Sequence, residues 1–134
     1  MIWAVKNRER CLIADTGQQL YKHLLIQAKD KIKVPFEQLH IQPEHVHGLI
    51  DLPTNICLAD FMKKIKGESS HWINQKRLIK GHFGWQRGFG AYSVSASQLQ
   101  IVKSYIQNQS HHHKRKTFIE EYDDWKQRYG IIDD

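Results

Sequence analysis

Four residues in this sequence have the types and spacing to do chemistry together. His45 and His47 flank Val46 in 43-PEHVHGLIDLP-53, and Tyr105 and Gln109 lie four apart in 104-SYIQNQSHHHK-114. Side chains alternate across a strand, so both imidazoles project from one face, about 7 Å apart at the backbone. That spacing lets their nitrogens converge on one ion. A His-x-His pair is also compatible with solvated or hydrogen-bonded imidazoles, and two ligands alone do not make a metal site. Residues i and i+4 share a helix face, which puts Gln109 beside Tyr105. A Gln oxygen is a hard ligand. With two imidazoles it suits Mg²⁺ or Mn²⁺ better than zinc and leaves positions open for phosphate oxygens. A tyrosine hydroxyl one turn away could attack that phosphate, and covalent capture splits one hard step into two easier ones. By helical pattern alone, Tyr105 reads instead as a core residue near Val102 and Ile106.

The elements that must position these groups follow from the patterning. Ile2 to Val5 reads as a short first strand. Asp15 and Thr16 are positioned to cap a helix whose stripe is Leu20, Leu24 and Ala28, ending near Lys31. After Pro35, Phe36 to Gln42 alternates, with Leu39 and Ile41 on one face and His40 and Gln42 on the other. Pro43 and Glu44 form a tight link to 45-HVHGLIDL-52, so these two strands should pair antiparallel. Val46, Ile50 and Leu52 should face the core, leaving His45 and His47 on an open sheet face. Gly48 leaves room for a close approach.

Leu58, Phe61, Met62, Ile65 and Trp72 mark a long amphipathic helix. The glycine-rich 81-GHFGWQRGFGAYSVS-95 suggests one or two short bent strands. Ser95 with Gln98, and Thr117 with Glu120, form capping boxes for two last helices. The second of these carries Phe118, Tyr122, Trp125 and Tyr129 and stops at Gly130. The order β-α-β-β-α-β plus C-terminal helices is α+β, the ferredoxin-like split βαβ: an antiparallel sheet with helices on one face. Residues 1–134 read as one domain.

Composition narrows the partners. The chain has 134 residues, a net charge of +6, a sequence pI near 9.4 and nine histidines. That balance favours a polyanion, nucleic acid before membrane surface. No apolar run approaches the ~20 residues needed to span a bilayer, and the start MIWAVKNRER lacks the order of a secretory leader. Two cysteines without CxxC spacing fit a reduced, cytosolic protein. The basic residues Lys63, Lys64, Lys66, Lys76, Arg77, Lys80, Arg87 and Lys103 would contact phosphates, and Trp85 or Phe89 could stack on unpaired bases. The run 111-HHHKRK-116 suits a helix C-terminus or a phosphate better than one shared metal ion.

Taken together, His45-Val46-His47, the helix 58-LADFMKKIKGESSHWIN-74, the segment 84-GWQRGFGAYSVSASQ-98 and 105-YIQNQ-109 resemble the single-tyrosine HUH transposases of the smallest bacterial insertion sequences. The resemblance runs from about Trp3 to about Gly130. It implies one divalent metal, Mg²⁺ or Mn²⁺, held by His45, His47 and Gln109. It implies Tyr105 as the nucleophile that cuts single-stranded DNA and forms a 5′-phosphotyrosine. It further implies hairpin-marked DNA ends, a homodimer in which the tyrosine helix often completes the partner's site, and a bacterial or archaeal cytoplasm. Relatives carry several more residues before the first strand, so an abbreviated strand is expected here. Two other readings stand beside this one: a domesticated relative that binds hairpin nucleic acid without transposition, and an interaction domain with a structural HVH pair.

Overall fold

The computed structural model describes residues 1–108. Strand β1 (Ile2–Ala4) is followed by a short 3-10 turn, Lys6–Arg8. Helix α1 (Ala14–Ile26) runs directly into a π-helical segment, Gln27–Ile32, which ends at a left-handed Lys33. Strands β2 (Phe36–Ile41) and β3 (His45–Ile50) form the predicted hairpin. Helix α2 (Leu58–Lys76) and, after a 3-10 turn at Ala96–Gln98, helix α3 (Leu99–Gln107) complete the set.

The sheet order is β1-β3-β2, all antiparallel, so the HVH strand is central. Its register sets Trp3 and Ile41 opposite Val46, and Ile2 and His40 opposite His47. Alternation then sorts the side chains into two cores. On one face Trp3, Val5, Leu39 and Val46 meet Leu20 and Leu24 of α1 and Phe61, Met62 and Ile65 of α2. These helix residues recur at three- and four-residue steps, which builds the buried stripe. On the other face Ile2 and Leu49 meet Val102, Tyr105 and Ile106 of α3. The expected antiparallel α+β architecture is present, but the second face is covered by the tyrosine helix.

The glycine-rich segment makes no full strand. It meets the outer edge of β1 through isolated bridges, Ile2 with Gly90 and Val5 with Trp85. Ile2 and Gly90 exchange N–H···O bonds of 2.9 and 2.8 Å. Gly88, at a φ of 79°, bends the chain between these contacts, and Gly81, at 85°, bends it before them. Two expected caps also fail. Asp15 accepts from the Gln19 amide, and the Thr16 hydroxyl donates to Leu78 O, so neither caps α1. The Ser95 hydroxyl meets Ser97 rather than a backbone N–H.

Candidate active site

Both histidines of the HVH strand are buried, at 0% and 1% exposure, which corrects the expectation of an open face. The alternation was right, but the covering helix lies on the imidazole side. The His45 and His47 Nε2 atoms converge to 2.9 Å, with the rings at 68° to one another. Two nitrogens bound cis to an octahedral ion at about 2.1 Å would lie about 3.0 Å apart. Tetrahedral coordination at similar length needs about 3.4 Å. The pair lies close to either spacing, so both nitrogens could reach one divalent cation once the hydrogen bond between them opens.

The second nitrogen of His45 is also fixed. Its Nδ1 lies 3.0 Å from Glu44 Oε1, while Glu44 Oε2 is 2.8 Å from the Arg10 guanidinium. An ionised carboxylate only accepts, so in the neutral pair the His45 proton sits on Nδ1. His45 Nε2 then presents its lone pair, and His47 Nε2–H donates to it across the 2.9 Å contact. For His47 to ligate through Nε2, its proton would have to move to Nδ1 or to solvent.

Helix α3 sets Tyr105 above this pair. Val102, Tyr105 and Ile106 are its buried residues, packed on Ile2 and Leu49. The Tyr105 ring centroid lies 6.4 Å from that of His47, and the residue is 4% exposed. Both sequence readings of Tyr105 therefore meet in one position: it is a core residue, and it is beside the histidines of its own chain. Gln109 lies outside the described residues, as do 111-HHHKRK-116 and the helix expected from Thr117. Among the described residues, no group of three or more His, Cys, Asp or Glu side chains is placed to hold a metal ion.

The proposed phosphate contacts divide sharply. Lys63, Lys64, Lys76, Arg77, Lys80 and Arg87 are exposed. Lys66 is not available in the same way: its amine donates to Gln86 O and Gly88 O, each at 2.8 Å, and pins the glycine-rich segment to α2. Partial burial holds that amine below its ordinary pKa. Lys103 pairs with Glu37 at 3.1 Å. Trp85 packs edge-on to Trp3 and Phe83, and its indole N–H donates to Ser69 Oγ at 2.9 Å. These three side chains are each engaged inside the chain, which the exposed lysines and arginines above are not shown to be. Phe89 remains exposed. Sequence reasoning missed Glu44 and Arg10. The signal for Glu44 was its place beside the HVH pair, whereas nothing near Arg10 marks it.

Comparison with known proteins agrees with this geometry. Residues 1–109 match the family described as "Transposase IS200 like". The ISDra2 transposase TnpA of Deinococcus radiodurans is 27% identical, over 81% of each chain. A crystal structure of a Deinococcus radiodurans R1 protein assigned as a transposase superposes with a TM-score of 0.63. It is 26% identical, covering 81% of this chain and 86% of that one. No helix among the described residues is long and apolar enough to cross a membrane.

Proposed function

The chain belongs to the IS200-like transposase family, a class of DNA-cleaving and strand-joining enzymes, and from that premise we propose that it cuts and rejoins single-stranded DNA through Tyr105. The observation that carries this reading is the convergence of His45 and His47 Nε2 to 2.9 Å with the Tyr105 ring alongside. His45 and His47, with Gln109 as third ligand, would hold Mg²⁺ or Mn²⁺. When bound, such an ion supplies Lewis-acid polarisation of the scissile phosphate.

The rest of the reaction belongs to the chain's own groups. The Tyr105 hydroxyl attacks phosphorus, forming an O–P bond as the bond to the 3′ oxygen breaks. The tyrosine proton ends, through solvent, on that 3′ oxygen. The products are a 5′-phosphotyrosine and a 3′-hydroxyl, and a second 3′-hydroxyl reverses the step to rejoin DNA. The phosphodiester energy is conserved in the link, so no nucleotide triphosphate is consumed. Because Tyr105 is 4% exposed, α3 must lift or shift before a phosphate can reach its hydroxyl. Exposed Lys63, Lys64, Arg77 and Arg87 then offer contacts for the DNA backbone. The substrate ends are hairpin-marked, and the working unit is a homodimer.

Incubating the full chain with Mn²⁺ and hairpin-bearing single strands from its own locus tests the proposal. A covalent protein–DNA adduct should survive denaturing electrophoresis, and Tyr105→Phe should give none. Equal adduct from both proteins would remove Tyr105 as nucleophile. Tight hairpin binding with no cut strand under any of these conditions would favour a domesticated binder.

A further inference from the structure

Glu44 is a buried acid that the reaction above leaves without a task. It is 5% exposed, and a carboxylate is buried this deeply only when it is paired and hydrogen-bonded. Its two oxygens are divided between partners, Oε2 to Arg10 at 2.8 Å and Oε1 to His45 Nδ1 at 3.0 Å. The backbone around it is held as well. Val5 N–H donates to Glu44 O at 2.8 Å, Leu12 N–H to Pro43 O at 3.0 Å, and Gln42 N–H to His45 O at 2.8 Å.

The loop that brings Arg10 to this carboxylate takes an unusual path. Asn7, Arg8 and Ala14 have φ of 59°, 53° and 49°, left-handed values that cost a non-glycine residue free energy. Three such residues within one eight-residue span persist only where surrounding bonds fix them. Some of these bonds lead to the turn before the HVH strand, others close the loop on itself (Arg8 N–H to Val5 O) or tie it to the segment on the outer edge of β1, where Lys6 N–H donates to Gly84 O and Gln86 N–H to Ala4 O.

We propose that Glu44 is a positioning residue for the histidine pair. It locks His45 in the Nδ1–H tautomer, so that Nε2 presents a lone pair toward His47 and an incoming divalent cation. Arg10 supplies the countercharge that keeps the carboxylate in place. A neutral imidazole otherwise exchanges its proton between the two nitrogens, and only one tautomer can ligate through Nε2. The inference rests on the reading of His45 and His47 as metal ligands.

Two measurements on the full chain test it: ¹⁵N-resolved NMR of the histidine rings without metal, and Mn²⁺ titration followed by electron paramagnetic resonance. In the wild type His45 should show a single Nδ1–H tautomer. Glu44→Ala should mix the tautomers and weaken Mn²⁺ binding about 10–100-fold. Glu44→Gln keeps an accepting oxygen but no charge, so it should preserve the tautomer and weaken Mn²⁺ by roughly 3–10-fold. Should the alanine variant fail to fold, a wild-type His45 ring that populates both tautomers overturns the proposal. An unchanged His45 tautomer in a folded Glu44→Ala overturns it too. If the wild type takes up no Mn²⁺, the metal reading falls, and the tautomer comparison alone decides the role of Glu44.

Discussion

Two histidine environments in this molecule, one half-buried and one fully buried, differ in what their nitrogens meet. His23, on α1, stacks on Trp72 at 3.9 Å with the rings 7° apart, and its Nε2 meets both Glu68 oxygens at 2.6 and 2.8 Å. It ties α1 to α2, and its bonds are to groups that belong to the scaffold. His45 and His47 instead turn their Nε2 atoms on each other, with a carboxylate behind His45. An imidazole bonded to a carboxylate and stacked on an indole has finished its work in the fold. Two imidazoles bonded to each other, away from the rest of the scaffold's polar groups on that side, are the pair the proposed function assigns to a metal.

Five variants sharpen or break this contrast. The largest effect is expected from His45→Leu/His47→Leu: Mn²⁺ affinity should fall more than about 100-fold and adduct formation should vanish. The double variant also takes the imidazole partner away from the buried Glu44 Oε1, so urea unfolding should show a loss of about 1–3 kcal/mol with the fold retained. A collapse of the fold would place the pair with His23 as scaffold. Next, Gly48→Ala adds a Cβ that would lie 2.8 Å from Phe36 Cε1 and 3.2 Å from Met1 Cε. Overpacking of this kind costs about 1–3 kcal/mol, readable by chemical denaturation.

His23→Leu should behave in the opposite way to the double variant. It removes the stacking and leaves Glu68 without its partner, costing about 1–2 kcal/mol in thermal or urea unfolding. Its Mn²⁺ affinity should match wild type. The smallest effects separate the lysines. Lys63→Ala/Lys64→Ala should lower the salt dependence of single-strand binding by about one unit of slope per lost phosphate contact. Lys66→Met should leave that slope alone and cost roughly 1 kcal/mol of stability, because it loses two carbonyl bonds.

The contrast also marks where the sequence was legible. The hairpin around Pro43 and Glu44, the stripe of α2 and the face shared by His45 and His47 follow from periods of 2 and 3.6, and each was readable from the residues alone. Burial of the HVH face was not, because it depends on a helix some sixty residues later folding back over the sheet. The short edge segment carries its bonds to β1 through isolated positions between glycines, and such contacts leave no alternating pattern. Lys66 and Lys63 are indistinguishable in sequence; only the carbonyls of Gln86 and Gly88 near one of them tell them apart. Glu44 was visible as a neighbour of the histidines, but its task depends on Arg10, brought across by a loop whose positive φ values no local preference suggests. Gln109 lies outside the described residues, so its assignment rests on the sequence motif.

The most direct measurement is pulsed electron paramagnetic resonance of the Mn²⁺-loaded full chain. The expected spectrum carries nitrogen couplings from two imidazoles. Those couplings should disappear in His45→Leu/His47→Leu and persist in His23→Leu. A wild-type Mn²⁺ signal without nitrogen coupling, or couplings unchanged in the double variant, would contradict the assignment of the HVH pair as the metal-binding heart of the site.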